Sequence, residues 1–420
     1  MKLAEIIEKY IPGDWGNEVP GNENPYQVSC IRGADIVPIE NVDYSEIPYR
    51  YISERSYNTR LLSVGDIIIE KSGGSPTQST GRVSIVTEDL LMERQNIVCS
   101  NFCEAFRVKS SWNPWYVYYY FRFIYDQGVF FNFEGKTSGL KNLQMDNAFS
   151  SIEIEEFDRS IQDKVANAIL DLDHKIAINH QINRKLEAMA KQIYDYWFVQ
   201  FDFPDANGRP YKTSGGKMVW NETLKREIPE GWEVKNLPYI ASFTNGLACQ
   251  RFRPTGDDCG LPVIKISNMH GEKSNEKEFV KSDIPESVKV YDGDILFSWS
   301  ASLEVIIWAY GIGGLNQHIF KVTEKNGYSK YFVYHKLLGY VDQFRRIAQA
   351  RKTTMGHITS DHLNQSTIEI PDNEIIYKSF DKEVAPIYSR IISNSQEVIK
   401  LQGLKDFILP LLMTGQVTIE

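Results

Sequence analysis

Polar side chains next to glycines are the residues of this chain best suited to chemistry, and the chemistry they suit is binding to nucleic acid. The stretch Lys71-Ser72-Gly73-Gly74-Ser75-Pro76-Thr77-Gln78-Ser79-Thr80-Gly81-Arg82 follows an apolar run. Gln can bond an adenine edge through two atoms and Arg a guanine edge, while Ser, Thr and backbone amides suit phosphate oxygens. Lys71, Ser72, Gln78 and Arg82 are therefore candidate DNA contacts, and a polar surface loop is the plainer alternative. The corresponding stretch of the second half, Ser298-Trp299-Ser300-Ala301-Ser302, is much less polar, so the two loops could do different jobs. Lys136-Thr137-Ser138 and Arg351-Lys352-Thr353-Thr354 each set cations beside hydroxyls, which suits a phosphate clamp or a solvated charge cluster. Arg345 and Arg346 add positive charge near the second of these. Asn316-Gln317-His318, beside Gly313-Gly314, could read bases or close a turn through side-chain bonds to backbone. The aromatic run Trp112 to Phe123 has the spacing of a core stripe rather than of a base-stacking platform.

Catalytic motifs come close and fail. Asn113-Pro114-Trp115-Tyr116 is similar to the N-P-P-Y/F signature of amino-methyltransferases, but its second proline is replaced, and no glycine-rich nucleotide fingerprint follows a strand. Gly135-Lys136-Thr137 has the end of a P-loop, yet Phe130 stands where the earlier glycine is required. Pro371-Asp372 and Glu374 begin a nuclease-like pattern that breaks at Ile376. Cys30, Cys99, Cys103, Cys249 and Cys259 are odd in number and lack metal-ligand spacing, so buried free thiols are expected. The expectation is a non-catalytic chain that binds no metal or cofactor itself.

The elements that must position these residues occur twice. Ile11-Pro12-Gly13-Asp14-Trp15 matches Ile228-Pro229-Glu230-Gly231-Trp232, Cys30 to Ile36 resembles Val263 to Met269, and Gly65-Asp66-Ile67-Ile68 recurs as Gly293-Asp294-Ile295-Leu296. Tyr116 to Tyr120 has a counterpart in Tyr331 to His335. Lys136-Thr137-Ser138 with Ser151-Ile152-Glu153-Ile154 returns as Lys352-Thr353-Thr354 with Thr367-Ile368-Glu369-Ile370, both at one offset of 216 positions. Each half then ends in an apolar seam of alternating threes and fours. Leu172, Ile176, Asn179, Ile182, Leu186, Met189 and Ile193 form the first; Ile387, Ile391, Asn394, Val398, Leu401, Ile408 and Leu411 form the second. Such a seam suits a coiled coil, in which Asn179 and Asn394 could fix register or lie hydrated at the margin. The first helix, from about Phe157 to Phe198, would be roughly 60 Å long at about 1.5 Å per residue, and Pro204 ends it.

At 420 residues the chain has room for two or three domains. Its net charge of −9 argues against a stand-alone DNA binder but not against one that shares phosphate neutralisation with partners. No apolar run approaches the roughly 18 residues of a bilayer span, and the N-terminus lacks a signal-peptide stretch, so a cytoplasmic protein is expected.

Tyr196-Trp197-Phe198-Val199-Gln200-Phe201-Asp202-Phe203-Pro204-Asp205, Tyr211 to Val219, and Ile228-Pro229-Glu230-Gly231-Trp232 resemble the central conserved region of type I restriction–modification specificity subunits. Leu409-Pro410-Leu411-Leu412-Met413-Thr414-Gly415-Gln416-Val417 resembles that family's ending, so the resemblance spans the chain. It implies an α+β fold: two duplicated α/β target-recognition domains separated by two long antiparallel coiled-coil-like helices. The expected bounds are 1–156 for the first domain, 157–203 for the central helix, 204–227 for a connector, 228–372 for the second domain and 373–420 for the C-terminal helix. Each domain would read one half of an asymmetric bipartite site in double-stranded DNA. Leu172, Ile176, Asn179, Leu186, Ile193, Ile391, Asn394, Leu401 and Ile408 would set subunit spacing and partner docking. The implied partners are two methyltransferase subunits and motor-nuclease subunits, with S-adenosylmethionine, ATP and Mg bound on those partners. The alternatives are the recognition subunit of a system with fused methylase and nuclease, or a helical scaffold indifferent to DNA. Removing one heptad between Leu172 and Ile193 is expected to change the spacer of the methylated motif and leave both half-site sequences as they were; sequencing of modified DNA checks it.

Overall fold

The structure is a computed structural model that describes residues 1–75, 78–137, 140–269, 278–300, 302–350 and 358–419. The chain divides into two units, Met1–Ile178 with Lys400–Glu420, and Asn179–Ile399. A long helix, Arg159–Tyr194, lies between the two α/β domains in the chain, and a second, Glu374–Met413, ends it. Each unit contains part of both helices.

In the first unit, Ile67–Glu70 is one of the two inner strands of a four-stranded antiparallel sheet, ordered Ile7–Pro12, Cys103–Val108, Ile67–Glu70, Val83–Ile85. An unbroken apolar run here means burial on both faces. Ile67 and Ile69 face a core built around the helix Pro114–Asp126, while Ile68 faces a second core with Ile31, Leu90 and Ile97. A three-stranded sheet stands beside it, in which Tyr26–Ile31 pairs parallel with Ile97–Cys99 and antiparallel with Tyr49–Ile52.

The second unit repeats this plan. Its four-stranded sheet is ordered Ala241–Asn245, Ile319–Glu324, Ile295–Ser298, Glu304–Ile307, the same first-fourth-second-third order in the chain. Ile295 and Phe297 face the larger core and Leu296 the smaller. Leu261–Ile264 pairs parallel with Gly313–Leu315 and antiparallel with Phe279–Val280. The expected duplication is thus present in both of these sheets, with Lys289–Val290 added beside Gly313–Leu315 in the second unit.

Two glycine pairs mark equivalent backbone. Gly65 and Gly293 hold φ of 87° and 89° in the turns that enter the inner strands, a conformation that suits glycine alone. Gly13 and Gly246 follow the first strands, and a Cβ at either would lie 2.0 Å from Ser100 O or 2.1 Å from Asn316 O. These pairs also correct one sequence match. Ile11-Pro12 ends an edge strand equivalent to Ala241–Asn245, whereas Ile228-Pro229 ends a hairpin formed with Met218–Asn221. The Ile-Pro-x-x-Trp similarity therefore joins positions that are not equivalent.

The aromatic run of the first half is core, as its spacing suggests. Asn113 caps its helix by accepting from Trp115 N and Tyr116 N, Pro114 opens it, and Tyr116, Tyr119 and Phe121 are fully buried. Four of the five cysteines are buried, and Cys259 is exposed against expectation.

The long helices pack within each unit. In the first, Asp173 accepts from Lys405 of the second helix and, at 2.8 Å, from the Tyr119 hydroxyl. In the second, Asn179 donates to Glu397 at 2.9 Å, Asn394 to Asn183 at 2.9 Å, and Asn183 to Ser395 at 3.1 Å. Both seam asparagines are buried and bonded rather than hydrated at a margin. Ile176 and Ile391 are buried, while Leu172, Leu186, Ile193, Leu401 and Ile408 are half-buried. The expected seam slips by one position in its later part: Met189 is 51% exposed and Ala190 takes the inward place. The second seam likewise uses Tyr388 and Lys405, neither of which its apolar pattern includes. Gly13→Ala and Gly246→Ala are each expected to lower stability by about 2 kcal/mol or more, read in denaturant unfolding, because backbone carbonyls cannot move aside as flexible side chains can.

Candidate nucleic-acid interface

In the first unit, three chain segments meet at the end of the inner strand. Lys71 N and Ser72 N donate to Phe102 O at 2.8 and 3.0 Å, and Leu143 N donates to Lys71 O at 2.8 Å. The short strand Ser72–Gly73 pairs with Leu140–Leu143, which pairs in turn with Glu134–Thr137. The fold so brings Lys71 and Ser72 together with the backbone of Lys136 and Thr137, which are remote in sequence. The Ser72 hydroxyl donates to Asn142 Oδ1.

The second unit builds the same junction. Trp299 N donates to His318 O at 3.3 Å, and Ile358 N donates to Trp299 O at 3.0 Å. Phe102 and His318 lie 216 positions apart, the offset shared by the Ile-Glu-Ile strands. Asn316 and Gln317 belong to this turn. Asn316 Oδ1 accepts from His318 N at 3.2 Å, the turn-closing bond, and Gln317 Nε2 lies 3.4 Å from His318 Nε2. Arg345 donates to Leu303 O at 2.9 Å and pairs with Asp342 at 2.7 Å, which places it at the same loop. Ser138, Arg351, Lys352, Thr353 and Thr354 lie outside the described residues.

The junction of the first unit is electrically balanced. Arg82 meets Glu70 through two bonds of 2.6 and 2.8 Å, and Glu70 is buried. Hydrogen bonding to that carboxylate raises the guanidinium above its ordinary value. Lys71 pairs with Glu104 at 3.0 Å, and Lys141 with Glu134 at 2.9 Å. Glu134 also accepts from Thr80 N at 2.7 Å, tying the glycine-rich loop to the small sheet. Gln78 is exposed, and its amide closes on Ser75. Arg82 thus sits in a structural pair, and Lys71 is the more available cation, with 47% of its side chain exposed.

Sequence reasoning missed Lys141, which stands opposite both Lys136 and Gly73 in the small sheet. It missed Phe102 as well, a turn residue 56% exposed at the junction. The 216-position offset, carried back from the Ile-Glu-Ile strands, would have set Phe102 against His318. Among the described residues no group of three His, Cys, Asp or Glu could hold a metal ion, and no helix is long and apolar enough to cross a membrane.

No protein-family model matches the chain. It is 23% identical over 439 aligned positions to the specificity subunit of the type I restriction enzyme MjaIX of Methanocaldococcus jannaschii, covering 98% of this chain and 95% of that protein. The HindI specificity subunit of Haemophilus influenzae is 25% identical, covering 64% of this chain and 70% of its own length. The EcoBI specificity subunit of Escherichia coli is 26% identical over 46% of this chain and 41% of its own. The type I restriction–modification S subunit of M. genitalium has a similar fold, with a TM-score of 0.57 at 12% identity, covering 98% of this chain and 95% of that one. By sequence, the chain is a homologue of type I restriction enzyme specificity subunits.

Replacing Arg82 by Ala is expected to lower stability by about 3 kcal/mol, because it leaves a buried carboxylate without its partner. Lys71→Ala, which breaks a pair open to solvent, is expected to cost less than about 1 kcal/mol. Denaturant unfolding of the two variants checks the contrast.

Proposed function

We propose that this chain, whose homologues are specificity subunits of type I restriction enzymes, is the non-catalytic DNA reader of such a complex. The observation that carries the reading is the duplicated junction. One scaffold occurs twice, and the residues mounted on it differ: Lys71, Ser72 and Phe102 in one unit, Trp299, Gln317 and His318 in the other. A repeated scaffold with divergent loops suits two different half-sites, so the recognised site is asymmetric and bipartite. Lys136 and Thr137, one strand removed from Ser72 in the small sheet, suit a phosphate contact that fixes the domain on the duplex.

The paired cations fit a reader that works inside a complex. Lys71 and Lys141 each face a carboxylate, and the whole chain carries −9, so partners supply much of the phosphate neutralisation. Those partners are two methyltransferase subunits, with motor-nuclease subunits joining for restriction, in the cytoplasm. S-adenosylmethionine, ATP and Mg then act on the partners.

The test is to express the chain with its neighbouring methyltransferase and map methylated adenines on a genome that lacks them, with the methyltransferase alone as control. The expected outcome is a two-part asymmetric motif that appears only with this chain. Identical methylation without it would favour a helical scaffold indifferent to DNA.

A further inference from the structure

The two equivalent turns at the junctions are held by backbone, and this frees particular side chains. In each unit the turn's first carbonyl, from Ser100 or Asn316, packs against a glycine, and its third carbonyl, from Phe102 or His318, takes an amide of the adjoining loop. Some turn side chains also have local work. Asn101 accepts from Trp15 N at 3.2 Å, and Asn316 accepts from His318 N. Phe102 has none of this kind: its ring is 56% exposed and adds little to a core. Gln317 is half-buried, its Nε2 lies 3.4 Å from His318 Nε2, and among the described residues its amide oxygen accepts no hydrogen bond.

Phe102 and Gln317 differ in what they could recognise. An exposed aromatic ring suits an apolar contact to the thymine methyl group, and a glutamine amide suits the N6 and N7 edge of adenine. Resting on the reading of this chain as a bipartite DNA reader, we propose that Phe102 and Gln317 are specificity-determining residues. Phe102 selects an A·T pair in one half-site through the thymine methyl, and Gln317 selects an A·T pair in the other through adenine. The turn is then the fixed stage on which each half-site's identity at that pair is set by one residue.

The experiment maps methylated motifs directed by the wild-type chain, by Phe102→Ala and Phe102→Gln, and by Gln317→Ala, each with the neighbouring methyltransferase. Phe102→Ala is expected to relax one A·T position in one half-site by about tenfold and to leave the other half intact. Gln317→Ala is expected to relax one A·T position in the opposite half, and Phe102→Gln to shift preference only where Phe102→Ala relaxes it. A wild-type motif with unchanged variants overturns the inference alone. So does a change in both halves, a change at a G·C pair, or loss of all methylation with Phe102→Ala, which would make the ring a folding or assembly residue. A wild-type chain that directs no motif overturns the reading of the chain as a reader, and this inference with it.

Discussion

Both units depend on satisfying the amides at the start of one helix. The first turn of a helix leaves N–H groups that the helix cannot pair, and burying them unpaired is costly. In the first unit, Asn113 caps the helix Pro114–Asp126 and is itself gripped by the long helix: its backbone N donates to Gln162 at 2.8 Å and its side chain to Asp163 at 2.6 Å. In the second, Asp381 of the long helix reaches the amides of Tyr331 and Phe332 directly, at 3.1 and 3.0 Å, and accepts from Ser329 at 2.8 Å. The residues differ, but a carboxylate of the long helix stands at the positive end of the domain helix in both. Because hydrogen bonds are directional while apolar contacts are not, this grip fixes the angle at which each domain core meets its long helix.

Around that grip the structure places charge where oil would serve for stability alone. Lys336 is buried against Glu369, at 2.6 Å, and Glu369 also meets Arg226 at 2.7 Å. Burial lowers the Lys336 ammonium and the carboxylate partner counters it, while the two cations hold Glu369 below the usual carboxylate value despite its burial. Asp173 plays a similar part in the first unit, joining Tyr119 of the domain helix to Lys405 of the second long helix. A buried pair of this kind adds little over a well-packed apolar one, but losing one member is costly. The Asp173–Lys405 pair therefore selects one register between the two long helices, whose apolar seams would tolerate several.

Much of this could be read from residue order, and the failures have physical causes. An offset of 216 positions joins the turns at Ser100 and Asn316 and recurs at the Ile-Glu-Ile strands, while the aromatic stretch between them matches at 215. Upstream, loops of different length shift the register, and there a five-residue motif misled: Ile-Pro-x-x-Trp ends an edge strand in one half and a hairpin in the other. The seam was legible as a period of threes and fours but drifted near Met189, since such a repeat has to follow the actual turn of the helix. Lys405 was invisible because an inward lysine looks like a surface one until Asp173 is placed beside it. Arg82 looked like a base reader for the same reason, its buried partner Glu70 lying across a hairpin.

The division of the chain has a further consequence for the order of events at the ribosome. The first unit contains Leu409, Leu412 and Met413 in its core, together with Val165, Ala166 and Ile169, so its last structural pieces are synthesised after the whole of the second unit. At synthesis rates of about 5–20 residues per second, roughly 10–45 s pass between the emergence of Ile178 and that of Lys400. During that interval the early helix and the domain core it packs on lack Leu409, Leu412 and Met413, whereas the second unit can close as soon as its own residues are made. The domain encoded first is thus finished last, and its half-built core is the surface on which chaperones or premature aggregation would act.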